Sequence, residues 1–350
     1  MNEELPATFT GPSAWVSEDL VNNTDGWLKT LTSREVAELE SAARQFLSTG
    51  KDIGELASVD FQIPEFSEHL QQLKQKLLRG NGLEVIRGLP VEDYSQKLAA
   101  CIFCGIGAHL GSARSQNAKG HILGHVRDIG VSSSDPTARI YQTSERQSFH
   151  TDSTDVVGLL CLKKAQSGGE SMLVSALSIY NRFKEIRPDL LPLLFEPVAT
   201  DRRGEVPEGE LPFMTIPVFS WFEGHLTVFY QRQYINSAKR FDDAPRLTDK
   251  HREALDLFDT LANDPSLHFV MQLEPGDMQF VYNHSQLHDR TGFVDWSDAS
   301  ERRHLLRLWL SIEGDRNLPE CFKQRYGSIE VGSRGGIITS QTRLHAPLDG

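Results

Sequence analysis

The chain has 350 residues, 39% hydrophobic and 24% charged, which suits one large domain or two ordinary ones and is ample for a sizeable core. A formal net charge of −12 argues against a nucleic-acid partner, which is usually met with a basic surface. It leaves room for an anionic small molecule, because a few arginines lining a pocket outweigh acidic groups at a distance. Met1–Pro6 has neither a basic n-region nor an apolar core, and no run is long enough to span a membrane. Cys101, Cys104, Cys161 and Cys321 are too few for a disulfide framework. The expectation is a cytoplasmic protein without a membrane partner.

Residues 1–31 show little pattern and read as irregular cover. Thr32-Ser33-Arg34-Glu35 is a capping box, and Val36, Leu39, Ala43, Phe46 and Leu47 follow at helical spacing until Gly50. A second helix is expected from near Glu65 to Leu78, with Leu70, Leu73 and Leu77 on one stripe. Leu83–Arg87 reads as a strand, and a third helix runs from about Ser95 to Leu110.

From about residue 139 the texture becomes strand-like. Arg139–Thr143, Asp155–Leu162 and Ser171–Val174 are expected strands, with Gly168-Gly169 a turn. One helix interrupts, over Ser178–Phe183 and on toward Leu194. Phe213–Phe222 and His225–Tyr230 form a hairpin about Glu223-Gly224, and Leu247–Leu261 is an amphipathic helix. His268–Leu273 and Met278–Tyr282 are strands joined by Glu274-Pro275-Gly276-Asp277, and His304–Ile312 is the last clear strand. Many short strands preceded by helices point to a mixed α and β protein built on a β-sandwich or jelly roll with helical cover. There is no β-α-β-α alternation, internal repeat or linker.

The chemistry concentrates in two stretches. Ser148-Phe149-His150-Thr151-Asp152-Ser153 precedes an apolar run, and on a strand residues i and i+2 share a face. His150 and Asp152 would then converge as two ligands of a metal. The pattern alone is weak: His251-Arg252-Glu253 repeats it on an amphipathic helix, where it reads as a solvated face. Downstream stand His284 and His288, either of which could supply a third ligand. Two histidines and one carboxylate form the facial triad of non-haem Fe(II) oxygenases, with coordination positions left open. Arg303, Leu305 and Arg307 alternate, so both arginines point one way from an otherwise apolar strand. Burying a guanidinium is costly unless an anion meets it. That anion is either a carboxylate of the protein or the far end of a small diacid.

In this order the motifs resemble the taurine dioxygenase (TauD/TfdA-like) family of Fe(II)/2-oxoglutarate-dependent oxygenases. The likeness runs from about Gly82 to about Gly336 and is strongest at 148–175 and 274–310. It implies a double-stranded β-helix (jelly roll) core over 82–336 with inserted helices, helical cover over 1–80, and one oxygenase domain over 1–350. It implies His150, Asp152 and His288 as iron ligands, with His288 preferred to His284 for its Leu-His-x-Arg-Thr context. It implies Arg303 on the distal carboxylate of 2-oxoglutarate. Gly168-Gly169-Glu170-Ser171 places Ser171 where the family has a threonine hydroxyl. Arg307 matches a position that faces an anionic substrate group. One departure is His288-Asp289-Arg290, where many members have His-Gly-Arg.

The implied cofactors are Fe(II), 2-oxoglutarate and O2. The implied reaction oxidises an unactivated C–H bond, by default to the alcohol, and releases succinate and CO2. Desaturation or ring closure is the alternative outcome, and Asp152 argues against a halogenase. The substrate is expected to be small, with a carboxylate or sulfonate; an amino acid fits. Arg146 and Asn117 are candidate substrate contacts. A metal-dependent hydrolase would leave Arg303 and Ser171 without a role, and a non-catalytic jelly-roll binding protein would meet its ligand with the arginines and no metal. Cys101-Ile102-Phe103-Cys104 lies among apolar helical neighbours and reads as core packing. His121 and His125 read as loop or pocket-edge residues. The sequence leaves homo-oligomerisation open.

Overall fold

The computed structural model describes residues 5–131, 140–207, 209–337 and 342–348. Its architecture follows from period-two alternation. Along His304–Ser311, Leu306, Leu308 and Leu310 join one apolar cluster while Leu305 joins another. Arg303, Leu305 and Arg307 therefore share the face that turns away from the helices.

This strand belongs to a seven-stranded sheet. Its order is Leu28–Thr30, Leu83–Arg87, Met278–Tyr282, Val156–Lys163, His304–Ser311 and Ser112–Ala113, with Leu123–Val126 also paired to His304–Ser311. A four-stranded antiparallel sheet lies opposite, in the order Phe269–Met271, Ser171–Ser175, Gln286–Arg290, Gln147–His150. Leu83, Val85, Cys161, Val281 and Leu305 of the major sheet meet Leu173, Phe269 and Met271 of the minor one. Helices cover the outer faces. Ser33–Ser48, Pro64–Arg79 and Gln96–Leu110 pack Leu39, Phe46, Leu70, Leu73 and Phe103 onto Phe280 and Leu306. Ala176–Ile186 and Asp249–Ala262 pack Ile179, Phe183 and Phe258 onto Val174 and Leu287. This is the expected double-stranded β-helix (jelly roll) with flanking helices. No helix among the described residues is long and apolar enough to cross a membrane.

The Thr32 capping box forms as read, with Glu35 N donating to Thr32 Oγ1 and Thr32 N to Glu35. Glu223 and Gly224 both have positive φ (48° and 78°), as the two-residue hairpin turn requires. Cys101 and Cys104 are buried in the helix Gln96–Leu110 as free thiols.

Several elements differ from expectation. Ile140–Gln142 is a short 3-10 turn rather than a strand, and Arg139 lies outside the described residues. Phe213–Phe222 is two strands: Pro217 ends the first, which pairs with the unexpected strand Pro197–Asp201. The helix from Ala176 stops at Ile186, because Arg187 precedes Pro188 and is biased away from helical backbone. Residues 1–31 are not simple cover. Leu28–Thr30 adds a parallel edge strand to Leu83–Arg87, and Trp15 and Leu20 enter the core between the sheets.

Candidate metal and anion site

The strand Gln147–His150 ends at His150, so Asp152 stands in the following loop rather than on the strand expected for it. That loop is fixed by its backbone. Thr151 N donates to Tyr230 O (2.9 Å), and Asp152 N to Asn283 Oδ1 (2.9 Å). Asn283 Nδ2 returns to the carbonyls of Asp152 (2.6 Å) and Thr154 (2.8 Å). His288 lies directly opposite His150 in the sheet register, with ring centroids 4.2 Å apart. The ligating atoms of His150, Asp152 and His288 all lie within 4.8 Å of one another.

The protonation of this group suits a divalent cation. His150 Nδ1 is 2.9 Å from the Ser148 carbonyl, which can only accept, so Nδ1 carries the proton and Nε2 keeps its lone pair. Burial, then the nearby His288, lowers the pKa of His150 to about 3. Burial alone would raise that of Asp152, but Arg307 and His288 outweigh it and hold the carboxyl well below its usual range. The donor set is a neutral imidazole, a carboxylate and a second imidazole.

Arg307 and Trp309 follow Arg303 on the same strand face. Trp309 Nε1 donates to Asp152 Oδ2 (2.9 Å), and Arg307 Nη1 lies 3.3 Å from the same oxygen. Gln116 braces Arg307: its Oε1 accepts from Nε (2.8 Å), and its Nε2 donates to the Arg307 carbonyl (2.8 Å). The guanidinium lies over the rings of Tyr141 and Trp309, 4.7 and 5.0 Å from their centroids. Arg307 is thus already committed to Asp152 in part, although it lines a cavity on either side of the cluster.

The inner cavity lies between the sheets and is lined by His150, Ser171, Gln279, His288 and Arg303. Arg303 is 5% exposed, and among the described residues no carboxylate stands within ion-pair distance of its guanidinium. Its Nη1 is buried without a hydrogen-bond partner. Asp295 accepts from the Arg303 backbone N–H (2.7 Å) instead. Phe293 offers only its ring face, 5.1 Å away, and burial lowers the pKa of Arg303 to about 10. Gly168 and Gly169 have positive φ (74° and 77°), and a Cβ on Gly169 would stand 3.0 Å from Arg303 Nε. Glycine there both makes the turn and leaves room for the arginine. Ser171 Oγ donates to Gln279 Oε1 (3.1 Å). A buried cation without a counter-ion among the described residues, beside a polar donor and a metal-type donor set, fits a small chelating diacid.

The outer cavity is lined by Asn117, Asp152, Glu205, Tyr234, Arg307 and Arg325, among others. Asn117 therefore lines the site, although its side-chain Oδ1 also accepts from Lys119 N (2.9 Å). Arg146 does not. It is half-exposed and pairs with Asp289, while its Nη2 donates to Asn263 (2.6 Å). Asp289 is buried, so the departure at the distal motif is balanced by an ion pair.

His284 belongs to a second group. Its Nε2 is 2.8 Å from Asp155 Oδ1, which also accepts from Arg334 Nε (2.7 Å), and Arg334 Nη2 donates to Asp315 Oδ2 (2.8 Å). Asp155, His284 and Asp315 stand at metal-binding distance, but the Arg334 guanidinium already bridges both carboxylates in the space between them. Arg334 arrives on a C-terminal strap that crosses the Asp152 loop, where Gly336 N donates to Ser153 O (2.7 Å).

Trp309, Gln279, Gln116, Glu205 and Arg325 were not among the expected site residues. The first two were within reach: each continues the two-residue alternation of a strand already assigned. The others arrive on loops or a one-turn helix, where spacing gives no direction.

A jelly roll with a two-histidine, one-carboxylate cluster and an unpaired buried arginine defines the class of non-haem iron, 2-oxoglutarate-dependent oxygenases. The family described as "Taurine catabolism dioxygenase TauD, TfdA family" matches residues 46–309, and the chain belongs to it. It is an oxidoreductase that uses Fe(II), 2-oxoglutarate and O2 on a small molecule. It is 34% identical over 340 residues to FR-33289 synthase of Streptomyces rubellomurinus, covering 95% of this chain and 99% of the relative. It is 30% identical over 316 residues to the taurine hydroxylase-like protein SAT17 of Stachybotrys chartarum, covering 87% and 80%. Among solved structures, asparagine oxygenase with Fe(II), 3-hydroxyasparagine and succinate superposes with a TM-score of 0.64 at 16% identity, over 81% of this chain and 93% of that one. The oxygenase OrfP with Fe and alpha-ketoglutaric acid gives 0.62 at 15%, with the same coverage.

Proposed function

We propose that His150, Asp152 and His288 hold iron(II) and that Arg303 anchors the distal carboxylate of 2-oxoglutarate, with Ser171 beside it. Arg303 carries the reading: its buried guanidinium has no carboxylate partner among the described residues, in a cavity that both histidines line. A zinc hydrolase has no use for that cation, and a metal-free binding protein has none for the cluster of His150, Asp152 and His288. Bound here, iron with 2-oxoglutarate and dioxygen would supply the oxidising power that removes hydrogen from an unactivated C–H bond, by default giving the alcohol, succinate and CO2.

The protein's own part is positional. The Ser148 carbonyl holds the proton of His150 on Nδ1, so Nε2 keeps the lone pair that would ligate, which in this structure accepts from Gln147 Nε2 (2.9 Å). Trp309 and Arg307 keep the Asp152 carboxylate charged and oriented. Ser171 is free to turn its hydroxyl from Gln279 to an incoming carboxylate. Arg146 braces Asp289, beside the ligand His288, and leaves the substrate to the outer cavity.

The substrate we infer is a small acidic or amino-acid-like molecule with a carboxylate or sulfonate, met in part by Arg307 and Asn117 in the outer cavity. Asparagine oxygenase and OrfP hold hydroxylated amino acids in their complexes, which favours that class. The whole chain reads as one oxygenase domain, because its N-terminal helices share an apolar cluster with the major sheet. Four free thiols and an iron(II) site suit the reducing cytoplasm.

The test is anaerobic titration with Fe(II) and 2-oxoglutarate. A weak visible charge-transfer band is expected in the native protein and is expected to vanish in Asp152→Ala. No band, together with no 2-oxoglutarate-dependent O2 uptake on any substrate, refutes the assignment.

A further inference from the structure

The outer cavity includes one residue that the family match does not reach. Arg325 lies on the one-turn helix Lys323–Tyr326, past residue 309 where the match stops. Its side chain is mostly buried and lines the cavity that Asp152 also lines. Nε donates to the hydroxyl of Ser153 (2.5 Å), the residue next to Asp152. Nη1 and Nη2 each stand 3.4 Å from one oxygen of Glu205. Charge-assisted N–H···O bonds run about 2.7–2.9 Å, so this is a loose pairing for two buried charges. The cavity's other cation, Arg307, is already held by Asp152 and Gln116. The guanidinium of Arg325 is therefore the one placed to change partners: its Nε anchor fixes its position while its outer fork is weakly engaged.

We propose that Arg325 binds the anionic group of the substrate, giving up its long contact with Glu205 for a forked pair with a carboxylate, sulfonate or phosphonate. Glu205 is then the resident counter-ion that keeps the empty cavity neutral and that the substrate displaces. Because Arg325 is anchored one residue from Asp152, the pair also sets the substrate's position relative to the ligand cluster, so Arg325 determines specificity. A lysine could supply the charge but not the planar fork. The inference rests on reading the outer cavity as the substrate chamber.

The protein loaded anaerobically with Fe(II) and 2-oxoglutarate is titrated with butanoate, 1-propanesulfonate and propylphosphonate. Binding is read from the shift of the charge-transfer band and from the thermal midpoint. At least one probe is expected to bind, and the preferred one distinguishes the three anions. Arg325→Gln is expected to weaken that probe about tenfold to a hundredfold, the range of a charged hydrogen-bonded pair. Arg325→Lys, which keeps charge and bulk, is expected to fall between. Glu205→Gln is expected to tighten it, since the competing carboxylate is gone. A merely structural ion pair would make both partners' variants weaker, so equal weakening by Glu205→Gln and Arg325→Gln overturns the proposal. So does unchanged binding in Arg325→Gln, or no binding of any probe to the loaded native protein. Absence of the band in the native protein before any probe is added refutes the iron assignment instead.

Discussion

Replacing Arg303 by methionine separates what the residue costs the empty protein from what it contributes to the loaded one. The guanidinium is 5% exposed, faces no carboxylate among the described residues and leaves Nη1 without a partner there. A buried unsatisfied polar group costs about 1–3 kcal/mol, against which the contact with Phe293 returns about 1 kcal/mol. Methionine nearly fills the space without the charge, so the metal-free variant should gain up to about 2 kcal/mol. At about 2.1 cal/mol/K per residue, 350 residues unfold with an entropy of about 0.7 kcal/mol/K, so the midpoint should rise by up to about 3 °C. With 2-oxoglutarate the sign reverses. A charge-assisted pair is worth about 3 kcal/mol, so the co-substrate Kd should rise about a hundredfold while the iron Kd barely moves. Thermal scans with and without 2-oxoglutarate, and calorimetric titration of both ligands, give the numbers. A variant that is less stable when empty and binds 2-oxoglutarate within about threefold of native would show that Arg303 serves the core and not the co-substrate.

Other outcomes follow from single contacts. Trp309→Phe removes the indole bond to Asp152 and should weaken Fe(II) binding about tenfold in a chelator competition. His288→Ala should abolish iron binding, whereas His284→Ala should lower the thermal midpoint and leave iron stoichiometry at one per chain; the opposite pattern would exchange their roles. Arg334→Met strands the buried Asp155 and Asp315 and should cost about 3–5 kcal/mol, a fall of about 4–7 °C in the midpoint. Burial, then the nearby His125, lowers the pKa of His304 to about 3. The unfolded chain takes up that proton near pH 6.5 and the folded one only near 3, so His304 lowers stability progressively as pH falls through this window. His304→Gln should flatten part of that decline, and parallel midpoint–pH curves for the two proteins would contradict it.

The parts of the fold written in side-chain periodicity were legible in advance. The helices from Ser33, Pro64 and Gln96, and the strands Leu83–Arg87, Met278–Tyr282 and His304–Ser311, have one apolar face and one partner layer, so pattern decides them. Pro197–Asp201 and Gln286–Arg290 escaped because their mixed residues are buried on both sides and do not alternate. The metal-type cluster and Arg303 were legible because each is an expensive residue in a cheap setting: an acid or a cation beside apolar strand positions. Arg146 misled for the same physical reason. Its partner Asp289, buried next to His288, consumes a charge that spacing alone seemed to aim at the cavity. Arg325 and Glu205 lie 120 positions apart on irregular segments, and only the folded chain brings them together.

The strap that carries Arg334 also imposes an order of events on biosynthesis. Asp155 leaves the ribosome 179 residues before the guanidinium that neutralises it, and 129 before His284. At about 5–20 residues per second that is a wait of roughly 10–35 s, during which the loop bearing Asp152 has no finished scaffold beneath it. The nascent chain therefore exposes the makings of a chelating cluster long before it can discriminate among metals. Selective metal loading is therefore expected only after Arg334 has emerged, when its strap locks the loop that bears Asp152 in place.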